Sequence, residues 1–353
     1  MEFLLDCKPK YEIVAAFCRL YTMILINHRY QLPSVLVVMF ISLCSQAQSI
    51  TARLNLTQNP PLDLLATRSV VLFDYTYSKS QLEEAQKSFQ NIGIDPIAYF
   101  EIDKVFAGND MQKAFSTYFT SRQVKYVVIL EKAKDEFLFT TTILGKESDL
   151  FDSGQAAWRV SNPRIDNLML TIWQDTWRSQ KKRNFLINDL PETDIFVDPF
   201  KGRRGAYYAI DLKVDNLAVI KFGNEQMDKE LEQFFIDNYP LKYQIVEAGS
   251  NEQELRKQGF HYVLRFVHTR GVIAREVLSY DLSKEEKNYV SITFPTGQLQ
   301  LKVIPREKVI YKYYFRHIDN GNVFLGTKWD ADDTWLDALR NHVLAFKQEA
   351  RLN

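Results

Sequence analysis

The chain has 353 residues, with 44 basic and 44 acidic side chains, 46% hydrophobic residues and 3 cysteines. At roughly 150 residues per domain, that length predicts about two domains, each able to bury a core. The composition excludes collagen-like, disulfide-scaffold and wholly disordered chains, and a formal charge of zero withholds the basic footprint that non-specific nucleic-acid binding requires.

Leu32 to Cys44 form an uncharged, mostly apolar run of 13 residues, followed by Ser45, Gln46 and Ala47. A helix needs about 20 residues to cross hydrocarbon roughly 30 Å thick. The shorter run reads as the apolar region of a secretory signal peptide, with Arg29 as its positive flank and Ser45 and Ala47 as the small residues of a cleavage site. An uncleaved anchor is the alternative. Residues 1–47 are therefore assigned as signal peptide, and a start at Met23 would make residues 1–22 an extension. Removing the first 47 of 353 residues leaves 306 without a cysteine, because Cys7, Cys18 and Cys44 all lie upstream. Such a chain has no disulfide, thiolate nucleophile or cysteine-ligated metal. The expectation is a bacterial protein of the periplasm or envelope, with no transmembrane span after cleavage.

Residues 48–67 read as a leader. Ser69 to Tyr75 (SVVLFDY) has the β-branched, apolar look of a buried strand. Ser80 and Glu83 resemble a capping box for a helix that Gly93 ends. A strand at Pro96 to Glu101 precedes a helix with Met111, Ala114, Phe115, Tyr118 and Phe119 on one stripe. Strands follow at Tyr126 to Glu131 and Glu136 to Leu144, and Pro163 opens a long helix carrying Leu168, Met169 and Ile172.

Residues 181–207 form the interdomain segment, whose Phe185, Leu186, Ile195, Phe196 and Val197 suggest packing on a domain. The order then repeats in residues 208–353. Leu217 to Phe222 and Tyr243 to Glu247 are strands separated by a helix, and Tyr262 to Val267 is paired with a return strand at Val272 to Tyr280. Strands within about 289–318 are additional and are expected to enlarge the second sheet, with Asn320-Gly321 closing the last of them onto Val323 to Leu325. A helix bearing Trp335, Leu339, Val343 and Phe346 ends the unit. The predicted fold class is α/β with mixed sheets. It consists of two similar βαβαββ units, at residues 68–180 and 208–353, each closed by a long helix, the second with an antiparallel β insertion. Internal duplication explains the recurrence.

No motif supplies chemistry. Gly145-Lys146 lacks the earlier glycine of a phosphate loop, and there is no GxGxxG or GxSxG. The histidines at 261, 268, 317 and 342 never take metal-binding spacing. Asp330, Asp332 and Asp333 read as a helix cap. The candidate catalytic residue is Asp74, at the end of VVLFDYT, where a dehalogenase-like phosphohydrolase carries its nucleophile, although Thr76 stands where the second acid belongs. Lys201, Arg203 and Arg204 of KGRRG are a candidate anion or partner contact, set against a solvated turn. Tyr311, Tyr313 and Phe315 of YKYYF are a candidate aromatic partner surface, set against burial between sheet and helix. No cofactor is implied.

The KYVVILEK-type strand followed by its alternating partner, within strand-helix repeats after a signal segment, resembles envelope domains of the TolB N-terminal and CsgG-like kind, and uncharacterised exported proteins of Bacteroidota. The resemblance lies in layout and implies assembly or interaction with an envelope protein partner. The functional expectation is an interaction protein without an evident catalytic site; the alternative is a hydrolase of phosphate esters or nucleotides near Asp74.

Overall fold

Residues 50–145, 150–152, 154–180, 182–184, 186–193, 195–283 and 286–352 are described by the structure, a computed structural model. The expected signal segment, its cleavage residue Ala47 and the three cysteines lie outside the described residues.

In chain order, the first sheet and its helices are β1 (Asn55–Thr57), β2 (Arg68–Phe73), α1 (Lys79–Ile92), β3 (Asp95–Glu101), α2 (Ile102–Val105), α3 (Asn109–Ser121), β4 (Val124–Ala133), β5 (Glu136–Ile143), β6 (Ala156–Asn162) and α4 (Ile165–Ser179). Strands lie in the order β1-β6-β5-β4-β2-β3. The continuous apolar run Val70, Val71 and Leu72 is wholly buried, as a central parallel strand requires. Helix α1 is capped by Ser78, which forms a capping box with Gln81 two residues earlier than Ser80 and Glu83 would set it, and stops at left-handed Gly93. Helices α1 and α4 cover one face, with Phe89, Leu168 and Ile172 packed against Phe139 and Trp158. Phe115 of α3 meets Phe100 of β3 edge-on, with ring centroids 4.9 Å apart. The expected leader is part of this unit: Leu64 and Leu65 are buried, and Asn55 to Thr57 adds the edge strand β1.

The second set is β7 (Arg204–Gly205), β8 (Leu217–Ile220), α5 (Glu225–Asn238), β9 (Tyr243–Val246), α6 (Glu252–Lys257), β10 (Tyr262–Arg270), α7 (Gly271–Val277), β11 (Asn288–Thr293), β12 (Gln300–Pro305), β13 (Val309–His317), β14 (Val323–Phe324) and α8 (Trp335–Glu349). Its six-stranded sheet runs β7-β14-β13-β10-β8-β9. Position by position this matches the first, and each neighbouring pair is parallel or antiparallel just as its counterpart is. The chain is thus mixed α/β with two similar units. From Arg53 onward they form one compact body.

Two expectations for the second unit are corrected. The return strand expected at Val272 to Tyr280 is mostly helix α7, because Ile273, Ala274 and Val277 recur at helical spacing and bury together. The true return strand is β13, antiparallel to β10 from Tyr262 opposite His317 to Arg270 opposite Val309. The inserted hairpin β11–β12 forms a separate two-stranded sheet and does not widen the larger one.

The segment before β7 packs as expected. Glu192 bridges to Ala98 beside β3 and accepts bonds from Tyr118 and Arg122, while the Asn188 backbone amide donates to Asp95 over 2.9 Å. Among the described residues, no helix is long and apolar enough to cross a membrane.

The α2–α3 turn locks the units together. A Cβ on Gly108 would stand 2.7 Å from the Phe266 carbonyl oxygen, so only glycine permits that approach. Thr269 donates to the Asp103 carbonyl over 2.8 Å. Beside it, buried Arg270 of β10 reaches across to Glu101 and Asp103 and binds Glu307 of its own unit, with the Tyr75 ring 4.1 Å from its guanidinium carbon.

Candidate functional site

In each six-stranded sheet the chain leaves a parallel strand to one side and later crosses to the other. The carboxyl ends of β8 and β10 flank that reversal, where open α/β sheets form crevices. A cavity of about 230 Å³ opens there. Val219, Phe222, Leu231, Leu264 and Phe266 supply its apolar part, Lys221 and Arg265 its charged part, and Asn109 and Asp110 from the first turn of α3 close it.

Its charged groups are held in pairs. Arg265 donates to Glu252 over 3.0 Å, Lys221 to Glu247 over 2.8 Å, and Asp110 accepts from Tyr314 over 2.6 Å and from Arg316. Burial works against the Arg265 charge, but Asp110 and Glu252 outweigh it and hold the guanidinium above its ordinary pKa, hence charged. Among the described residues, two lining side chains carry a buried donor without a partner, Arg265 Nε on one face of the sheet and the hydroxyl of Tyr313, a residue only 2% exposed, on the other.

The equivalent crevice of the first unit is where Asp74 lies, just beyond β2. The Asp74 carboxylate accepts the Thr76 amide over 2.9 Å, an Asx turn that leads the chain toward α1. Glu101, opposite Phe73 in the ladder, and Asp103 just after it are balanced by Arg270. Among the described residues no group of three or more histidine, cysteine or acidic side chains is placed to hold a metal.

The basic candidates do not converge. Arg204 pairs with Asp198 over 2.6 Å and lies over the Phe200 ring, the Arg203 backbone amide donates to Asn322, and Lys201 is exposed. KGRRG is therefore no free turn. It enters strand β7, and Gly202 sits so close to the 320–322 turn that a Cβ would fall 2.3 Å from the Asn322 nitrogen. The aromatic candidates are also corrected. Tyr313 and Phe315 are buried against α5 and α8, and Tyr311 is half-buried with its ring stacked on His268 at 3.9 Å. Strand β13 is central in its sheet, so its ring faces meet helices and the other unit, and no aromatic face is left for a partner.

The most unusual group on β13 is Lys312, wholly buried between those aromatics. It pairs with Asp330 over 2.7 Å and donates to the Leu325 carbonyl, also over 2.7 Å. The other Asp330 oxygen lies 2.9 Å from His342 Nδ1. Burial by itself raises the Asp330 carboxyl, but the Lys312 ammonium and the hydrogen bond from His342 hold it below the usual carboxylate range. Burial and the neighbouring Lys312 ammonium lower the His342 imidazole, which is neutral at pH 7. The acidic trio is not the helix cap that spacing suggests: Thr334 caps α8, Asp330 is the buried counter-ion, and Asp332 and Asp333 hold Lys302. A polar residue inside the apolar run YKYYF is the one sequence signal that marks Lys312.

Hairpin β11–β12 offers a different surface. Tyr289 and Ile304 face inward, and the inner Ser291 bonds to the Ala331 carbonyl over 2.6 Å. On the other face Val290 pairs with Val303 and Ile292 with Leu301; Ile292 is buried, whereas Val290, Leu301 and Val303 are 55%, 68% and 63% exposed. Among the described strands, β12 pairs only with β11, leaving its outer backbone edge open. The sequence contains these residues within the expected insertion, but exposure on this face could not be read from alternation alone.

No family model matches the chain, and no curated protein is significantly similar to it.

Proposed function

We propose that the protein is an exported, envelope-associated interaction protein, and that the outer face and open edge of β11–β12 form its partner contact. Export rests on the Leu32 to Cys44 run and the Ser45 and Ala47 site. The carrying observation is the exposed Val290, Leu301 and Val303 face beside an unpaired strand edge. Natural proteins usually blunt such edges with charge, proline or a covering element. An extended segment of a partner would extend the ladder through its backbone and place alternate apolar side chains on this face. The matched strand orders of the two units fit internal duplication of one scaffold, with the hairpin as the element added to the second copy.

A photo-crosslinking residue at position 301 should yield one discrete envelope-protein adduct in cells. The same probe at Ile236, an exposed position on α5, should yield none. Equal labelling at both sites, or none at 301, contradicts the proposal. The hydrolase alternative rests on the strand-end position of Asp74, and requires a phosphatase activity that disappears in Asp74→Asn.

A further inference from the structure

Helix α4 carries a ridge of large apolar side chains on its outer side. Leu168, Met169, Ile172 and Thr176 bury the inner side of the helix. Leu170, Trp173 and Trp177 recur at i, i+3 and i+7, which places them in one stripe about 10 Å long. They remain 50%, 39% and 42% exposed. The two indole rings lie 5.6 Å apart, and the Trp177 N–H donates to the Ile92 carbonyl of α1 over 3.3 Å, which fixes that ring in place.

Positive charge gathers at the carboxyl end of the stripe. Arg178 and Lys182 are exposed, and the Arg183 guanidinium stacks over the Trp177 ring, 3.2 Å from its centroid. Lys181 to Arg183 is an unbroken basic run in the sequence. Among the described residues, none of Arg178, Lys182 and Arg183 has an acid partner. The acids of the helix do not offset them: Asp166 at the amino end pairs with Arg164 over 2.6 Å, and Asp175, two residues from each tryptophan, lies on the opposite side of the helix.

Shape and composition select what meets this ridge. A convex helix ridge receives a flat surface, whereas a peptide needs a groove or a strand edge. Tryptophan sits at the headgroup level of a bilayer, and lysine and arginine beside it are drawn to anionic headgroups. We propose that α4 docks the first unit on an anionic lipid surface, with Leu170, Trp173 and Trp177 entering the headgroup layer and Arg178, Lys182 and Arg183 taking the lipid phosphates. This contact belongs to the first unit and stands whether or not the hairpin of the second has a partner.

Co-sedimentation of the full chain with vesicles of equal parts phosphatidylglycerol and phosphatidylcholine tests this, against vesicles of phosphatidylcholine alone. Binding should saturate on the anionic vesicles, be about tenfold or more weaker on the neutral ones, and fall as salt rises from about 0.1 M to about 0.5 M. Arg178→Gln combined with Lys182→Gln changes two exposed side chains, so the unfolding midpoint should hold while binding weakens roughly tenfold or more. Brominated lipid chains should quench the tryptophan fluorescence of the wild type, and quench that of Trp177→Phe less. Absence of saturable binding, equal binding to the two vesicles, equal quenching of Trp177→Phe, or undiminished binding by the folded charge variant overturns the proposal. Attachment through the Leu32 to Cys44 run gives the last of these results, and a ridge that meets only protein gives the first.

Discussion

His342 illustrates how a single side chain acquires its properties from burial. Its imidazole lies wholly inside the second unit, with Nδ1 against Asp330 and the Lys312 ammonium, the Tyr208 hydroxyl and the Glu349 carboxylate around it. In the unfolded chain it takes up a proton below about pH 6.5, whereas burial and Lys312 oppose that uptake in the folded protein. The unfolded state then binds more protons, so this contribution to stability is complete above about pH 6.5 and shrinks as the pH falls below it. Urea unfolding at about pH 7 and about pH 5 should show the wild type losing up to roughly 2 kcal/mol that His342→Asn does not lose. Equal losses in the two proteins would exclude this role. Spacing showed only that His342 belongs to no metal-binding pattern, and its partners come from a strand and a loop remote in sequence. Only the odd lysine of YKYYF hinted at a buried ion pair, and nothing local says which acid answers it.

Among the elements, long periodic segments were legible and short ones were not. Strand β2 declares itself through consecutive buried β-branched residues, and α3 through a stripe that places Met111, Phe115 and Phe119 on the core. Asn320-Gly321 marks the β13–β14 turn correctly, with Gly321 at a positive φ and its amide bonded to His317. In contrast, β1, β6 and β7 carry too little pattern, since their burial depends on the neighbour they pair with. Helix α7 misleads because VIAREV satisfies β-propensity residue by residue while its buried positions, Ile273, Ala274 and Val277, obey a helical period. Reading it as the return strand displaces the insertion, so the hairpin falls within the sheet and its outer face disappears from view. The candidate sites failed for the same reason: KGRRG and YKYYF are conspicuous locally, yet pairing with β14 and β10 decides what they can touch.

At the scale of the whole molecule, two sheets of one strand order are held by a joint of charge and close packing. Arg270 is 7% exposed and balances Glu101, Asp103 and Glu307, each a third to a half exposed. Replacing it leaves those carboxylates crowded at the joint. Arg270→Met should therefore lower stability by about 2–4 kcal/mol, somewhat below the cost of breaking a fully buried pair because the acids retain water. Denaturant unfolding followed by both fluorescence and circular dichroism measures it, and a change under about 0.5 kcal/mol would assign the joint to packing alone. The β11–β12 hairpin, whose strand β12 ends two residues before Glu307 of that joint, has its inner face fastened through Ser291 and its outer face open. The most direct measurement is co-isolation of the tagged, full-length protein with its crosslink-identified envelope partner, comparing wild type with the double variant Leu301→Lys, Val303→Lys. The two lysines lie on the exposed face, so the variant should retain the wild-type unfolding midpoint and lose the partner. Retention of the partner at wild-type yield by a folded double variant would contradict an interaction function centred on this hairpin.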